Sequence, residues 1–152
     1  MGRLQGVSGE HSDFQARLSL FPRYRCLIFG GLKVLVIHGD PESLAGWGLA
    51  HESFVAGNEA KLTEWFLASG ADVIVSTHTC LPVLWSGMVN ERRCVVANNG
   101  AAGMGNLRQD PRGLITRIGR ASPVAAPVAG LERQGLKVSL VPGGHDGAVG
   151  GW

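Results

Sequence analysis

Runs of apolar residues broken by glycine and polar turns mark this chain first as a set of strands. Arg25-Cys26-Leu27-Ile28-Phe29 reads as a short strand that stops at Gly30-Gly31. The run Leu32-Lys33-Val34-Leu35-Val36-Ile37 is nearly continuous in aliphatic and β-branched side chains, the pattern of a strand covered on both faces. Two such runs on either side of a Gly-Gly pair predict a hairpin. Asp72-Val73-Ile74-Val75 is the next buried strand, and Val83-Leu84-Trp85 and Cys94-Val95-Val96-Ala97 are two more. Residues 114–118 and 136–141 alternate as half-exposed strands do.

Two helices fit between the early strands. Asp40-Pro41-Glu42 combines a good N-cap, a residue favoured at the first helical position and an acid suited to the positive helix end. A helix is therefore expected to begin near Pro41 and to run unevenly, through Gly46 and Gly48, toward Phe54. Asn58 opens a cleaner helix, in which Leu62, Trp65 and Phe66 share one face and Gly70 supplies the stop. Trp47, Trp65 and Phe66 are expected in the core. Residues 119–130, rich in Ala and Pro, read as a loop. The chain thus divides into a poorly defined segment 1–24, one domain over 25–142 and a glycine-rich tail 143–152. Strand, helix, helix and strand followed by a run of strands predict a mixed α/β (α+β) domain with its helices on one side.

Composition narrows the class. With 152 residues, 45% apolar and 17% charged, the chain can bury one sizeable core. A formal net charge of +2 gives no bulk attraction for nucleic acid or a membrane surface. The three cysteines, Cys26, Cys80 and Cys94, are odd in number and form no Cys-x-x-Cys pair, which argues against a disulfide framework and for a reducing compartment. No apolar run approaches the length of a membrane span. A soluble cytoplasmic protein without nucleic-acid or membrane partners is expected.

Chemistry gathers where strands end. His38 follows the second strand and His78 follows Asp72–Val75's run, and ligands in open α/β sheets collect at the carboxyl ends of strands. Neutral imidazole is a common metal ligand, and Cys80 could add a thiolate two residues beyond His78. Position and residue type alone favour ordinary hydrogen-bonded strand-end histidines. A thiol at Cys80 activated by His78 is another reading, although side chains two residues apart on a loop tend to diverge. Asn98 and Asn99 are turn formers first and substrate-facing groups second. His51 and Glu52 read as solvated. Arg92, Arg93, Arg108, Arg112, Arg117 and Arg120 read as surface charges, as do His145 and Asp146 in the tail.

Three motifs in order sharpen this. Val36-Ile37-His38-Gly39-Asp40-Pro41-Glu42 resembles the strand and His-Gly element of calcineurin-like metallophosphoesterases. Val73-Ile74-Val75-Ser76-Thr77-His78-Thr79-Cys80-Leu81-Pro82 is similar to that family's strand and Gly-His-Thr-His element, with Thr77 for the glycine and Cys80 for the second histidine. Val95-Val96-Ala97-Asn98-Asn99-Gly100-Ala101-Ala102-Gly103 resembles its strand and Asn-x-Gly-Ser loop. The resemblance covers residues 25–142. It implies a metallophosphoesterase-like β-sandwich with flanking helices, hydrolysing phosphate mono- or diesters with a divalent metal (Mn²⁺, Zn²⁺, Fe or Mg²⁺), two ions in a complete site. It places His38 and His78 on one metal, Cys80 where a histidine binds the other, and Asn98 and Asn99 toward a small phosphate-ester substrate.

The family's N-terminal elements have no counterpart here. The chain contains no Asp-x-His. Gly39-Asp40 and Gly57-Asn58-Glu59 match the other two elements only superficially, follow His38, and read as a helix cap and a loop-to-helix junction. Before Val34 only His11 and Asp13 offer suitable groups, in surroundings that do not fit. The expectation is a phosphoesterase domain truncated at the N-terminus, with an exposed sheet edge that invites a homo-oligomer. Its rival is a non-catalytic remnant that binds a metal or a partner.

Overall fold

Strands β1 (Tyr24–Phe29) and β2 (Leu32–Ile37) form the predicted hairpin, with Phe29 paired to Leu32 across Gly30 and Gly31 at φ +56° and +87°. Two successive left-handed residues make the turn whose twist matches the strands it joins, and glycine adopts it without strain. The computed structural model describes residues 16–17, 20–101 and 113–143. His11, Asp13, Arg108, Arg112, His145 and Asp146 lie outside them, as do residues 102 and 103 of the small-residue loop.

After the hairpin come α1 (His51–Ala56), α2 (Glu59–Ser69), β3 (Val73–Ser76), β4 (Val83–Val89), β5 (Arg92–Asn98), β6 (Leu114–Gly119), β7 (Ala129–Arg133) and β8 (Leu136–Pro142). One sheet has the order β1-β2-β3-β5-β4 and the other β6-β8-β7. Strands β2, β3 and β5 are parallel, with antiparallel β1 and β4 at the edges, and the second sheet is wholly antiparallel. The expected mixed α+β architecture of two sheets and few helices is what forms.

The register explains the continuous apolar runs. Val34, Val73 and Val95 align in one row and face the second sheet, packing with Leu114, Leu136, Val138 and Leu140. Leu35, Ile74 and Val96 make the next row and face the helices, against Leu62, Trp65 and Phe66. Phe66 stacks on Trp85 with ring centroids 6.3 Å apart, and Phe54 meets the same indole at 6.0 Å. Central strands covered on both faces have no polar row to show.

Three expectations are corrected. The helix predicted from Pro41 begins only at His51, and residues 41–50 are turns and irregular backbone. The Asp40 carboxylate takes the nearby amides into a local loop, which competes with helix, and Gly46 and Gly48 add no propensity to resist it. The loop predicted over 119–130 ends in a strand, since Ala129 and Gly130 pair with Leu140 and Ser139 in β7. Trp47, expected in the core, is 55% exposed. Two further hairpins turn at Asn90-Glu91 and Gln134-Gly135, again on consecutive positive φ angles.

Edge strand β1 is exposed along its whole length, Tyr24 and Ile28 on one face and Leu27 and Phe29 on the other. An apolar groove opens between it and β6, lined by Leu27, Phe29, Val36, Val75, Thr116 and Ile118 among others. No helix among the described residues is long and apolar enough to cross a membrane.

This division of burial sets the stability response. Phe66→Ala is expected to cost about 3–5 kcal/mol in urea unfolding, whereas Ile28→Thr on exposed β1 should stay within about 0.5 kcal/mol of the parent.

Candidate functional site

The carboxyl ends of parallel β2 and β3 lie side by side, so the residues that follow them leave the sheet together. Two hydrogen bonds lock the exits to each other: Gly39 N donates to Thr77 O at 3.1 Å, and Ser76 Oγ donates to Gly39 O at 2.5 Å. Gly39 has φ +74°, and a β-carbon there would collide with the carbonyls of Ser43 and Leu44. The glycine after His38 is therefore required by the path of the loop.

This arrangement brings the two predicted histidines into contact. His38 Nε2 lies 3.2 Å from His78 Nδ1, one nitrogen donating and the other accepting, and the ring centroids are 4.9 Å apart at 63°. His38 is exposed and His78 half-buried. His78 holds φ +102°, a left-handed backbone that a side chain with a β-carbon rarely adopts. The neighbouring loop keeps it there, since His78 N donates to Gly100 O at 3.3 Å and Thr77 Oγ1 donates to the same oxygen at 2.6 Å. Local strain of this kind, about 1–3 kcal/mol, gathers at functional sites.

Two nitrogens on one tetrahedral zinc ion, each at 2.0–2.1 Å, would stand about 3.3 Å from each other. The 3.2 Å separation is close to that spacing, and it is equally that of a hydrogen bond in which the two nitrogens face each other. Further protein ligands are not in place: among the described residues, no group of three or more His, Cys, Asp and Glu is positioned to hold a metal. Cys80 is exposed and free, it completes no such group with the histidines, and no hydrogen bond joins it to His78. Asp40 follows His38 closely, but its carboxylate is occupied. Oδ1 accepts from Glu42 N and Ser43 N at 2.9 and 2.8 Å, and Oδ2 accepts from Gly48 N at 2.9 Å. The histidine pair by itself falls short of the ligand set of a metal centre.

Asn98 and Asn99 serve as ties. Asn98 is fully buried; its Nδ2 donates to Leu49 O at 2.7 Å and to Thr79 Oγ1 at 2.6 Å, and its Oδ1 accepts from Gly100 N at 2.9 Å. One amide thereby fastens three loops around the histidines. Asn99 Nδ2 donates to Leu114 O at 2.7 Å and its backbone N to Ser76 O at 3.1 Å, which joins the site to the second sheet.

Sequence reading missed Trp47. Its indole lies 5.9 Å from the His78 ring at 68°, open to solvent on the loop that Asp40 gathers. The one signal in the sequence was its position between Gly46 and Gly48, away from the helical stripe of Leu62, Trp65 and Phe66. Glu42 fastens this loop to α2: Lys61 Nζ donates to both carboxylate oxygens at 3.0 Å, and Trp65 Nε1 donates to Oε1 at 3.1 Å. The third cysteine, Cys94, is buried on β5 in the cluster under the helices, and burial pushes its thiol pKa up.

No protein-family model and no curated protein matches the chain. Solved structures do. A conserved uncharacterized protein from Streptococcus pneumoniae TIGR4, described as a predicted phosphoesterase, matches with TM-score 0.41 and 18% identity over 64% of this chain and 47% of that one. Vacuolar Protein Sorting 29 from Cryptosporidium parvum matches with TM-score 0.39 and 21% identity over 63% and 43%. Wild-type Vps29 from Entamoeba histolytica, solved in complex with Zn²⁺, matches with TM-score 0.37 and 14% identity over 63% and 45%. These structures share the calcineurin-like metallophosphoesterase fold. The chain spans less than half the length of each.

Replacing His78 tests the strained backbone directly. His78→Gly is expected to unfold at higher urea than His78→Ala, by about 1–2 kcal/mol, because only glycine is at ease in that conformation. In the native protein Cys26 and Cys80 should react with a thiol reagent at pH 8 while Cys94 reacts only on unfolding; rapid labelling of all three would contradict the burial described.

Proposed function

We propose that the loops after β2 and β3 form a divalent-metal site of phosphoesterase type, in which His38 and His78 hold one ion and phosphate esters are the substrates. The 3.2 Å approach of the two imidazoles, on a backbone held at φ +102°, is the observation that supports this reading. When bound, the ion would act as a Lewis acid toward a phosphoryl oxygen. The chain's own residues set the spacing of the imidazoles, fix their backbones through Gly39, Thr77 and Gly100, and hold the surrounding loops through Asn98 and Asn99. Cys80 is the candidate ligand for a second ion, and a thiolate there would favour Zn²⁺ over Mg²⁺. Catalytic zinc ions typically carry three protein ligands, so this reading calls for a further group beside the histidine pair.

That requirement favours a second reading as the rival: a module that binds a metal or a partner without hydrolysis. Its motivation is the absence of a three-ligand group among the described residues.

Elemental analysis after equilibration with Zn²⁺ or Mn²⁺ tests the first reading. About one ion per chain is expected, falling to background in His38→Ala and in His78→Ala. Chelator-sensitive hydrolysis of an aryl phosphate mono- or diester would support the phosphoesterase, and stoichiometric metal without hydrolysis would support the rival. A wild-type chain that holds no metal, or variants that keep it, would overturn the site.

A further inference from the structure

We propose that the groove between β1 and β6 binds a medium-chain carboxylate, an amphiphile whose tail lies over Leu27, Phe29 and Val34 and whose anionic head meets Arg25. The inference goes beyond the histidine pair and does not depend on how that pair is read.

The groove forms where the cover of the first sheet gives out. Arg25, Leu27 and Phe29 stand opposite Val36, Val34 and Leu32 in the β1–β2 ladder, and directly opposed residues share a face of the sheet. Leu32 and Val34 turn that face toward the second sheet and are buried in the cluster with Leu136 and Val138. Toward the edge the cover thins, and Leu27, Phe29 and Val36 remain 48%, 47% and 36% exposed. With Ile118 of β6 they wall a cavity of about 520 Å³. That size falls within the range of about 300–1,000 Å³ found for small-molecule sites.

Length and charge select the ligand. Strand residues rise about 3.4 Å each, so the four steps from Arg25 to Phe29 span about 14 Å. A second hollow, of about 360 Å³, shares Leu27 and Val36 with the groove and adds Arg23 and Arg25 to its wall. No acidic side chain lines either hollow, and neither arginine forms an ion pair with a described residue. Two unneutralised guanidinium groups at one end, with hydrocarbon along the rest, complement an anionic head on an alkyl tail. A second copy of β1 would instead bring two more arginines to that end. On the opposite wall Thr116 carries a polar side chain among the apolar ones, and its Oγ1 is buried without a hydrogen-bond partner. Buried hydroxyls normally have one, and a carboxylate oxygen would accept from it.

Calorimetric titration of the protein in EDTA, with each amphiphile kept below its micelle concentration, tests this apart from any metal. Wild type should bind one dodecanoate per chain. Each buried methylene tightens binding about fourfold, so dodecanoate should bind about tenfold more tightly than decanoate. Dodecyltrimethylammonium, which has the same tail and the opposite charge, should bind at least about tenfold more weakly than dodecanoate. Arg25→Gln should weaken dodecanoate about tenfold and narrow that gap. Leu27→Glu, on the exposed edge strand, should abolish dodecanoate binding while the urea midpoint stays near the parent's. Should that variant fail to fold, the comparison of heads and tails on wild type still decides the matter. Equal affinity for the two heads, no dependence on tail length, or an unchanged affinity in Arg25→Gln would overturn the site. Many dodecanoates per chain with loss of the near-UV circular dichroism would be unfolding by detergent and would overturn it too. A ligand-free dimer in sedimentation that Leu27→Glu dissociates would give the groove to a second copy of the chain, against this inference.

Discussion

The parallel pairing of β2 with β3 is the interaction on which the rest of this structure depends. At its start, Lys33 and Asp72 bond to each other twice: Asp72 N donates to Lys33 O at 2.8 Å, and Lys33 N donates to Asp72 Oδ2 at 2.9 Å. At its end the exits are joined through Gly39 and Thr77. Between these points the register aligns the valine row toward one layer and the leucine and isoleucine row toward the other. A shift of one residue would turn every one of these side chains to the wrong layer and would also part the two histidines. Core and site are therefore set by the same few hydrogen bonds.

Around that pair the polar side chains that look like candidate chemistry are used as extra backbone. Asp40 gathers three amides, Asn98 joins three loops, and Glu42 clamps the loop to α2. Asn98 is fully buried, and a buried polar group left without partners is expensive, so its amide is committed to these ties. The rings of His38, His78 and Trp47 and the thiol of Cys80 stay exposed or half-exposed beside these ties.

Much of this was legible in the sequence, for identifiable reasons. Strands β2, β3 and β5 announced themselves because both of their faces are covered. His38 and His78 stood out because strand ends are where an open sheet displays side chains. The helix misplaced at Pro41 shows the limit of local signals: Asp40 has the chemistry of a cap, and only the tertiary path reveals that its carboxylate closes a loop. β7 stayed hidden because its half-exposed sequence, Ala-Gly-Leu-Glu-Arg, carries one large apolar residue and gains its place by pairing with β8. Trp47 was misplaced because an aromatic residue is assigned to the core by default, and Asn98 was read as a turn former because its burial depends on loops distant in sequence.

The exposed hairpin gives the molecule a colloidal character apart from its chemistry. Since Phe29 and Leu32 close a two-residue turn, hydrogen-bonded pairs alternate back along the ladder, and the backbone groups of Tyr24, Cys26 and Ile28 point away from β2. A ladder that no other described strand continues, flanked by apolar side chains, is adhesive. Arg23 and Arg25 put positive charge beside it, and their mutual repulsion between copies weakens in salt. Concentration and ionic strength would then both bear on how long this chain stays dispersed.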